Sequence, residues 1–195
     1  MRHMRKNFKA NTYLYPQPVF IIGSYDENGI PDAMNAAWGG ICDYQKVFLC
    51  LSAEHKTVKN ILKRKALTIS MANTENVVAC DYVGIVSAND VKDKLKNTGW
   101  TIIKSEFVDA PLIQELPLTL ECEMESFDEK TDIMIAKIVN VSADESILTE
   151  GKIDVDKLKP ITYDAVSHHY IQLGKKVGHA FQDGLKIKQQ KDCEK

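Results

Sequence analysis

Apolar and polar positions near the start of the chain follow strand-like patterns that predict a β-hairpin. Residues 19–25 are rich in β-branched and aromatic side chains and lead into Asp-Glu-Asn-Gly at 26–29, where glycine permits the positive φ of a tight turn. The return strand is predicted over residues 30–38. Residues 47–52 predict a third strand, apolar enough to be buried on both faces.

Helical spacing of apolar residues follows in the middle of the chain. Residues 56–64 place apolar side chains on one face and basic ones opposite, which predicts a short amphipathic helix. A buried strand is predicted next, over residues 66–71. A second helix is predicted over residues 74–82, with Thr74 as its candidate N-cap, and a third, shorter helix over residues 89–99.

The second half of the chain returns to strand patterns. Residues 118–125 alternate apolar and polar without interruption, which predicts a strand with one face on the core and one face in water. A turn at residues 128–130 leads to a return strand over residues 133–141. Shorter strands are predicted around residues 160–163 and 170–173.

The order of these elements predicts a mainly β fold with inserted helices, because strands follow one another without βαβ alternation and such sheets close into barrels. The helices follow the strands that end at Ser52 and Met71. The chain, 1–195, is predicted as one domain with a loose basic leader over residues 1–10 and a disordered tail over residues 185–195. The glycine-punctuated end is expected to wrap the body or a partner.

Charge and cysteine usage narrow the classes of function. Lys and Arg number 25 against 27 Asp and Glu, with both signs interspersed, so the basic patch expected for a nucleic-acid or membrane partner is missing from the sequence. The five cysteines include no C-x-x-C pair, which is typical of a reducing cytoplasm. No apolar run reaches the length of a membrane span. We therefore expect a cytoplasmic protein with no nucleic-acid or membrane partner.

The junction between the third strand and the first helix is a candidate binding site. Ser52, His55, Lys56 and Thr57 surround a helix N-terminus, where unpaired backbone N–H groups and the helix dipole attract anions such as phosphate. Alternatively, the hydroxyl residues act only as helix caps and His55 is a solvated loop residue. Both interpretations remain open at this point.

The predicted hairpin and six further segments, in sequence order, carry a resemblance to a known family. These segments are M-N-A-A-W, L-S-A-E-H-K-T, C-D-Y-V-G-I-V-S, D-K-L-K-N-T-G-W, D-A-P-L-I-Q-E-L-P-L-T-L-E-C-E and Y-I-Q-L-G-K-K-V-G-H-A-F. Together they resemble the flavin reductase-like FMN-binding family, near its flavoredoxin branch. The resemblance implies a split β-barrel with Greek-key-like antiparallel strands. It also implies a homodimer with FMN held noncovalently near the subunit interface.

The resemblance implies cofactor contacts at specific residues. Along the flavin ring, where small side chains let the backbone come close, lie Asn35, Ala36, Ala37 and Trp38. The implied phosphate contacts are Ser52, Ala53, His55, Lys56 and Thr57. Further implied contacts are Met71, Ala72, Asn73, Asp81 and Gly84. Lys94 is expected to reach the pyrimidine side, where a cation steadies the anionic reduced flavin.

Three residues near the C-terminus are candidates for a nicotinamide or substrate pocket, with a surface role as the alternative: His168, His169 and Tyr170. Adjacent residues of a strand face opposite sides, so the two histidines are poorly arranged to chelate one metal. No metal site is predicted.

Other residues also have competing interpretations. Trp38 is either a ring contact or a buried core aromatic. The stripe of Glu121, Glu123 and Glu125 is interpreted as the wet face of a strand rather than an acid–base pair. Asp32 departs from the family pattern, since many relatives carry Asn there. A carboxylate near the ring disfavours the reduced anion unless it points away or pairs with a cation.

The function implied by the resemblance is that of an FMN oxidoreductase. NAD(P)H delivers hydride to flavin N5, and electrons pass to free flavin, ferric iron, oxygen or a redox protein. This scheme needs no catalytic side chain. The alternative is a non-enzymatic electron carrier or flavin-binding module that a partner protein reduces. The sequence lacks the G-x-G-x-x-G fingerprint of a dinucleotide-binding domain.

Overall fold

The computed structural model describes residues 4–188, so parts of the predicted leader and of the predicted tail lie outside the described residues. The strands, in chain order, are β1 (Gln17–Pro18), β2 (Phe20–Tyr25), β3 (Pro31–Ala36), β4 (Gly39–Asp43), β5 (Lys46–Cys50), β6 (Ala66–Met71), β7 (Ile102–Lys104), β8 (Pro111–Ile113), β9 (Leu118–Asp128), β10 (Ile133–Ala143), β11 (Leu148–Thr149), β12 (Lys152–Ile153), β13 (Ile161–Asp164) and β14 (His169–Gln172). The α-helices are α1 (Lys56–Arg64), α2 (Val77–Ile85) and α3 (Val155–Leu158), and 3-10 turns cover Lys94–Thr98 and Glu145–Ile147.

A seven-stranded antiparallel sheet in the order β3-β2-β6-β9-β10-β5-β4 forms the body and curls into a half-barrel. A second sheet, in the order β1-β13-β14, brings the C-terminal hairpin together with the first strand of the chain. The described tail leaves this hairpin after Leu173, and its residues 174–188 are exposed. Residues 185–188 within it take a helical conformation. The mainly β fold with inserted helices is confirmed.

The first hairpin forms as predicted, with β2 and β3 in register from Phe20 opposite Ala36 to Tyr25 opposite Pro31. Its turn has Gly29 at a φ of +78°, and the Asp26 carboxylate accepts the backbone N–H of Ile30 at 2.8 Å. The return strand ends at Ala36 rather than at residue 38.

The chain then makes a separate strand, β4, which the sequence analysis missed because two glycines at its start lower its apparent β-propensity. Gly39 is needed there, since a Cβ at this position would lie 2.7 Å from the carbonyl oxygen of Phe48.

Two strand predictions need correction. β5 ends at Cys50 rather than residue 52, and only Val47 and Leu49 are buried, so the strand is half-buried instead of buried on both faces. On β9, Glu121 is buried rather than wet, since the hydroxyl of Ser105 and Nδ2 of Asn140, the latter at 2.7 Å, donate to its carboxylate. Paired hydrogen bonds allow such a carboxylate to leave water.

Helix α1 spans the predicted residues, and the strands around residues 161–164 and 169–172 match their predictions. Thr74 is not the cap of α2, because the helix follows Asn76, whose N–H donates to Oδ1 of Asn73 at 3.0 Å. The third predicted helix is shorter than expected and is a 3-10 turn over Lys94–Thr98.

Apolar side chains form one large cluster on each side of the sheet. Ile22 and Ile61 belong to the cluster beneath α1, whereas Ile21 and Cys80 belong to the cluster beneath α2. Consecutive residues of β2 divide between the clusters because side chains alternate along a strand. The two helices are thereby fixed on opposite faces of the β2–β3 hairpin. Within residues 4–188, none of the helices is both long and apolar enough to cross a bilayer.

Candidate functional site

Two clefts meet at the outer side of β3 and form one groove. The first cleft, of about 170 Å³, lies between β3, the start of α1 and the end of α2, and is lined by Asp32, Met34, Asn35, His55, Lys56, Thr57, Val83, Gly84, Ile85, Val86, Ser87, Ala88 and Lys94. The second cleft, of about 410 Å³, is lined by Asn35, Ala36, Ala37, Asp81, Gly84, Ile85, Tyr163, His168 and Tyr170. Both clefts share Asn35, Gly84 and Ile85, so they are continuous.

The joint between the clefts depends on a close approach of α2 to β3. A Cβ added at Gly84 would lie 2.9 Å from Cβ of Asn35, closer than side-chain carbons pack. Nδ2 of Asn35 donates to the carbonyl of Cys80 at 3.0 Å, which holds the same two elements together. Helix α2 and strand β3 are therefore in close contact at this point.

The first cleft ends at the N-terminus of α1, which is suited to an anion. His55 occupies the N-cap position without a side-chain cap, and no acidic residue lies in the first turn. The first N–H groups of the helix have no intrahelical acceptor, and Lys56 lines the cleft beside them. Ser52, which accepts the N–H of Glu54 at 3.3 Å, and its neighbour Ala53 do not line the groove.

Thr57 uses its hydroxyl inside the protein instead of offering it to the cleft. Its Oγ1 donates to Oδ2 of Asp32 at 2.6 Å, and both residues are buried. The hydroxyl proton is therefore committed to the carboxylate. What Thr57 presents to an anion is its backbone N–H at the start of the helix.

Lys94 differs most from its expected position. Its side chain is 3% exposed, and Nζ donates to the carbonyls of Val83 at 3.1 Å and Val86 at 2.7 Å while lying 3.3 Å from Oδ1 of Asp32. The ammonium therefore makes two hydrogen bonds and one ion pair within the protein. Burial lowers the pKa of Lys94, and the Asp32 carboxylate opposes that shift. Asp32 is thus paired with a cation.

A hydrogen-bonded network lines the second cleft. The Tyr170 hydroxyl donates to Oδ1 of Asp81 at 2.8 Å and accepts from Nδ2 of Asn35 at 3.3 Å. Burial raises the pKa of Tyr170, and the hydrogen bond to Asp81 raises it further. Nδ1 of His168 lies 2.8 Å from the hydroxyl of Tyr163. The network ties β14 to both α2 and β3.

Several residues implied by the resemblance lie away from the groove. Trp38 does not line it, but it is 53% exposed, so the alternative of a buried core aromatic is wrong. Met71 packs against the core, Ala72 is buried within it, and Asn73 accepts the N–H at the start of α2. His169 bonds to Ser167, outside the groove. The remaining implied residues that line the groove are Asn35, Ala36, Ala37, His55, Lys56, Thr57, Asp81, Gly84, Lys94, His168 and Tyr170.

The sequence analysis missed the wall formed by the end of α2 and the loop after it. The residues of this wall that it did not single out are Val83, Ile85, Val86, Ser87 and Ala88. It also did not single out Met34 on β3 and Tyr163 on β13. One signal was present, since apart from Asp81 and Tyr82 the residues of α2 are apolar or glycine, and the structure leaves Ile85 75% exposed. An apolar residue on the outer side of a short helix indicates a ligand or partner surface. Among residues 4–188, no group of His, Cys, Asp and Glu side chains could hold a metal ion.

The curled half-barrel is that of a split-barrel protein, and its groove ends at an uncapped helix N-terminus. The chain belongs to the flavin reductase-like family, since the family described as "Flavin reductase like domain" matches residues 12–166. The resemblance found in the sequence is confirmed.

Solved structures agree with this family. The chain is similar to the flavoredoxin of Desulfovibrio vulgaris (Miyazaki F), with a TM-score of 0.89 and 36% identity over 93% of this chain and 100% of that chain. A flavoredoxin from Methanosarcina acetivorans has a TM-score of 0.85 and 23% identity over 95% and 100% of the two chains. An FMN-binding domain of a flavin reductases-like enzyme from Shewanella baltica OS155 has a TM-score of 0.76 and 21% identity over 84% and 89%. The last two likenesses show the fold alone.

The family match and the first flavoredoxin support a flavin, FMN, as the cofactor. The groove fits such a group chemically. One end offers unpaired N–H groups and Lys56 to a phosphate. The larger second cleft has mixed polar and apolar walls and the size of a small-molecule site, a class that begins at about 300 Å³.

Proposed function

We propose that this chain is an FMN-dependent oxidoreductase that takes hydride from NAD(P)H and passes electrons to free flavin, ferric iron or a redox protein. The observation that supports it is the pair of adjoining clefts, one ending at an uncapped helix N-terminus and the other larger and lined by both polar and apolar residues. When bound, FMN supplies the hydride-transfer and electron-transfer chemistry. The protein contributes binding, orientation and charge.

The proposed roles follow the walls of the groove. His55, Lys56 and the backbone N–H of Thr57 hold the phosphate in the first cleft. The backbone of β3 from Asn35 onward lies along the ring, where small side chains permit close approach. In the second cleft, Tyr170 and His168 border the space left for nicotinamide or an acceptor. No general acid or base is required, which agrees with a Tyr170 hydroxyl whose proton is held by Asp81.

Anaerobic mixing with NADH and with NADPH tests the proposal. The FMN-loaded protein is expected to lose its oxidised flavin absorbance with at least one nicotinamide, faster than free FMN at the same concentration. If neither nicotinamide bleaches the protein while dithionite does, the chain is an electron carrier reduced by a partner, and the hydride step is wrong. A protein that takes up no FMN at all would overturn the cofactor assignment as well.

We also propose that the chain acts as a homodimer. Large apolar side chains are exposed on β4 and its turn, with Ile41 at 65% and Tyr44 at 101% exposure. The described tail adds Val177 at 100% and Phe181 at 99%. Apolar surface of this kind is typical of a face that a second subunit covers.

A further inference from the structure

The floor of the first cleft contains a buried ion pair that the proposed reaction does not use. Asp32 on β3 and Lys94 in the 3-10 turn have side chains that are 5% and 3% exposed, with Oδ1 and Nζ 3.3 Å apart. Both residues line the cleft that ends at the α1 N-terminus. A charge at this position acts on a ligand with little screening by water.

Each partner also holds one wall of the cleft. Asp32 accepts the Thr57 hydroxyl and so fixes the first turn of α1. Lys94 donates to Val83 and Val86 and so fixes the end of α2. No hydrogen bond reaches Oδ1 of Asp32, so Lys94 is its only compensation among the described residues.

We propose that Lys94 is an internal counter-ion that allows Asp32 to position helix α1 without repelling the anionic end of the cofactor. The neutral pair thereby preserves the preference of the cleft for FMN over riboflavin, which lacks the phosphate, and either charge left unpaired shifts that preference. The two residues are positioning residues, since Asp32 acts through Thr57 and Lys94 acts through Asp32. This inference rests on the proposed function.

Substituting Lys94 and substituting Asp32 leave unpaired charges of opposite sign beneath the phosphate, so the two variants should change FMN affinity in opposite directions. Lys94→Met keeps the shape of the side chain but leaves an uncompensated carboxylate under the phosphate. Asp32→Asn keeps an acceptor for Thr57 but leaves an uncompensated cation. The double variant has neither charge. A purely structural pair would weaken FMN and riboflavin equally in every variant, because loosened walls affect both ligands.

Fluorescence titration of FMN and riboflavin near pH 8.5 measures the ratio of the two affinities. In Lys94→Met the FMN-to-riboflavin ratio should fall about tenfold. In the double variant, which lacks the same lysine, it should return to within about threefold of wild type. A double variant as impaired as Lys94→Met, or a ratio unchanged in all variants, would overturn the inference.

Circular dichroism shows whether each variant folds, and a second comparison is available if one does not. If Lys94→Met does not fold, Asp32→Asn is compared with the double variant, since both carry the Asp32→Asn substitution and differ only at position 94. The inference requires a higher FMN-to-riboflavin ratio in Asp32→Asn, and an equal or lower ratio overturns it. If wild type binds neither flavin, the proposed function fails first, whereas wild-type binding with unchanged ratios defeats this inference alone.

Discussion

At the scale of single residues, the side chains at the start of α1 divide between two tasks. The Thr57 hydroxyl serves the interior through Asp32, while Lys56 faces the first cleft. The type of residue at a helix N-terminus does not reveal which of these tasks it performs, because the same hydroxyl can bond inward or outward. The sequence therefore predicts an anion site here but not which side chains face it.

Lys56→Ala is expected to lower FMN affinity by about one to two orders of magnitude and to leave riboflavin affinity unchanged, because a charge-assisted phosphate contact is lost. Fluorescence titration of both flavins measures the difference. Lys59→Ala is the matched control, since Lys59 lies on the same helix but pairs with Glu54 outside the cleft. Equal losses for the two flavins would place Lys56 at the ring or in the fold instead.

The cysteines differ in burial, and this gives a second expectation at the residue scale. Burial raises the pKa of Cys80 and of Cys122 to about 12, whereas the thiol of Cys42 is exposed. Only the thiolate reacts with iodoacetamide. Near pH 8, peptide mapping should find Cys42 alkylated in the native chain, with Cys80 and Cys122 modified only after unfolding.

The raised pKa values of Cys80 and Cys122 also make the stability of the fold depend on pH. A thiol whose pKa is raised by folding stabilises the native state below the ordinary thiol pKa, and that contribution is lost as pH rises toward the folded value. Unfolding in denaturant should therefore become easier in strongly alkaline solution. In the alkylation experiment, rapid labelling of Cys80 in the native chain would show that the cluster beneath α2 opens on the time scale of the iodoacetamide reaction.

At the scale of elements, strong local patterns predicted the structure well and long-range contacts did not. Helix α1 was predicted over its observed residues because its apolar face and basic face are separated at helical spacing. Strand β4 was missed, since its glycines are selected by contact with Phe48 on the neighbouring strand. The third predicted helix is observed as a 3-10 turn, in which Lys94 contacts the end of α2 and Asp32 instead of facing solvent.

The groove itself is a product of pairing between distant elements. Asn35 on β3 meets Tyr170 on β14, 135 positions later. No periodicity within either segment encodes that contact, and only the family resemblance brought the two regions into one site. The same resemblance implied Met71 and Asn73 as cofactor contacts. Met71, at the end of β6, packs against the core, and Asn73, after that strand, accepts the N–H at the start of α2.

Tyr170→Phe tests this contact between elements. The variant removes the hydroxyl that joins β14 to α2 and β3, so urea unfolding should show a loss of about 1 kcal/mol. Tyr163→Phe is the control, because its hydroxyl bonds only to the exposed His168. A Tyr170→Phe protein as stable as wild type would mean that the C-terminal hairpin is held by its apolar contacts alone.

At the scale of the whole molecule, the described chain leaves apolar surface that its own core does not use. The exposed side chains are Ile41 on β4, Tyr44 in the turn after it, and Val177 and Phe181 in the tail. Side chains this exposed add little to the stability of a monomer. Their exposure therefore supports the proposed homodimer, in which a second subunit covers them.

The dimer is tested by combining Val177→Ser and Phe181→Ser and following mass by light scattering over a dilution series. In a dimer, removing two buried apolar side chains should weaken association by roughly one to two orders of magnitude, since each is worth about 1.5–3 kcal/mol when fully covered and part of this is offset by tail ordering. Met4→Ser, at a position 96% exposed near the other end of the chain, is the control. A wild-type protein that is monomeric at micromolar concentration yet binds FMN tightly would show that the groove is complete within one subunit.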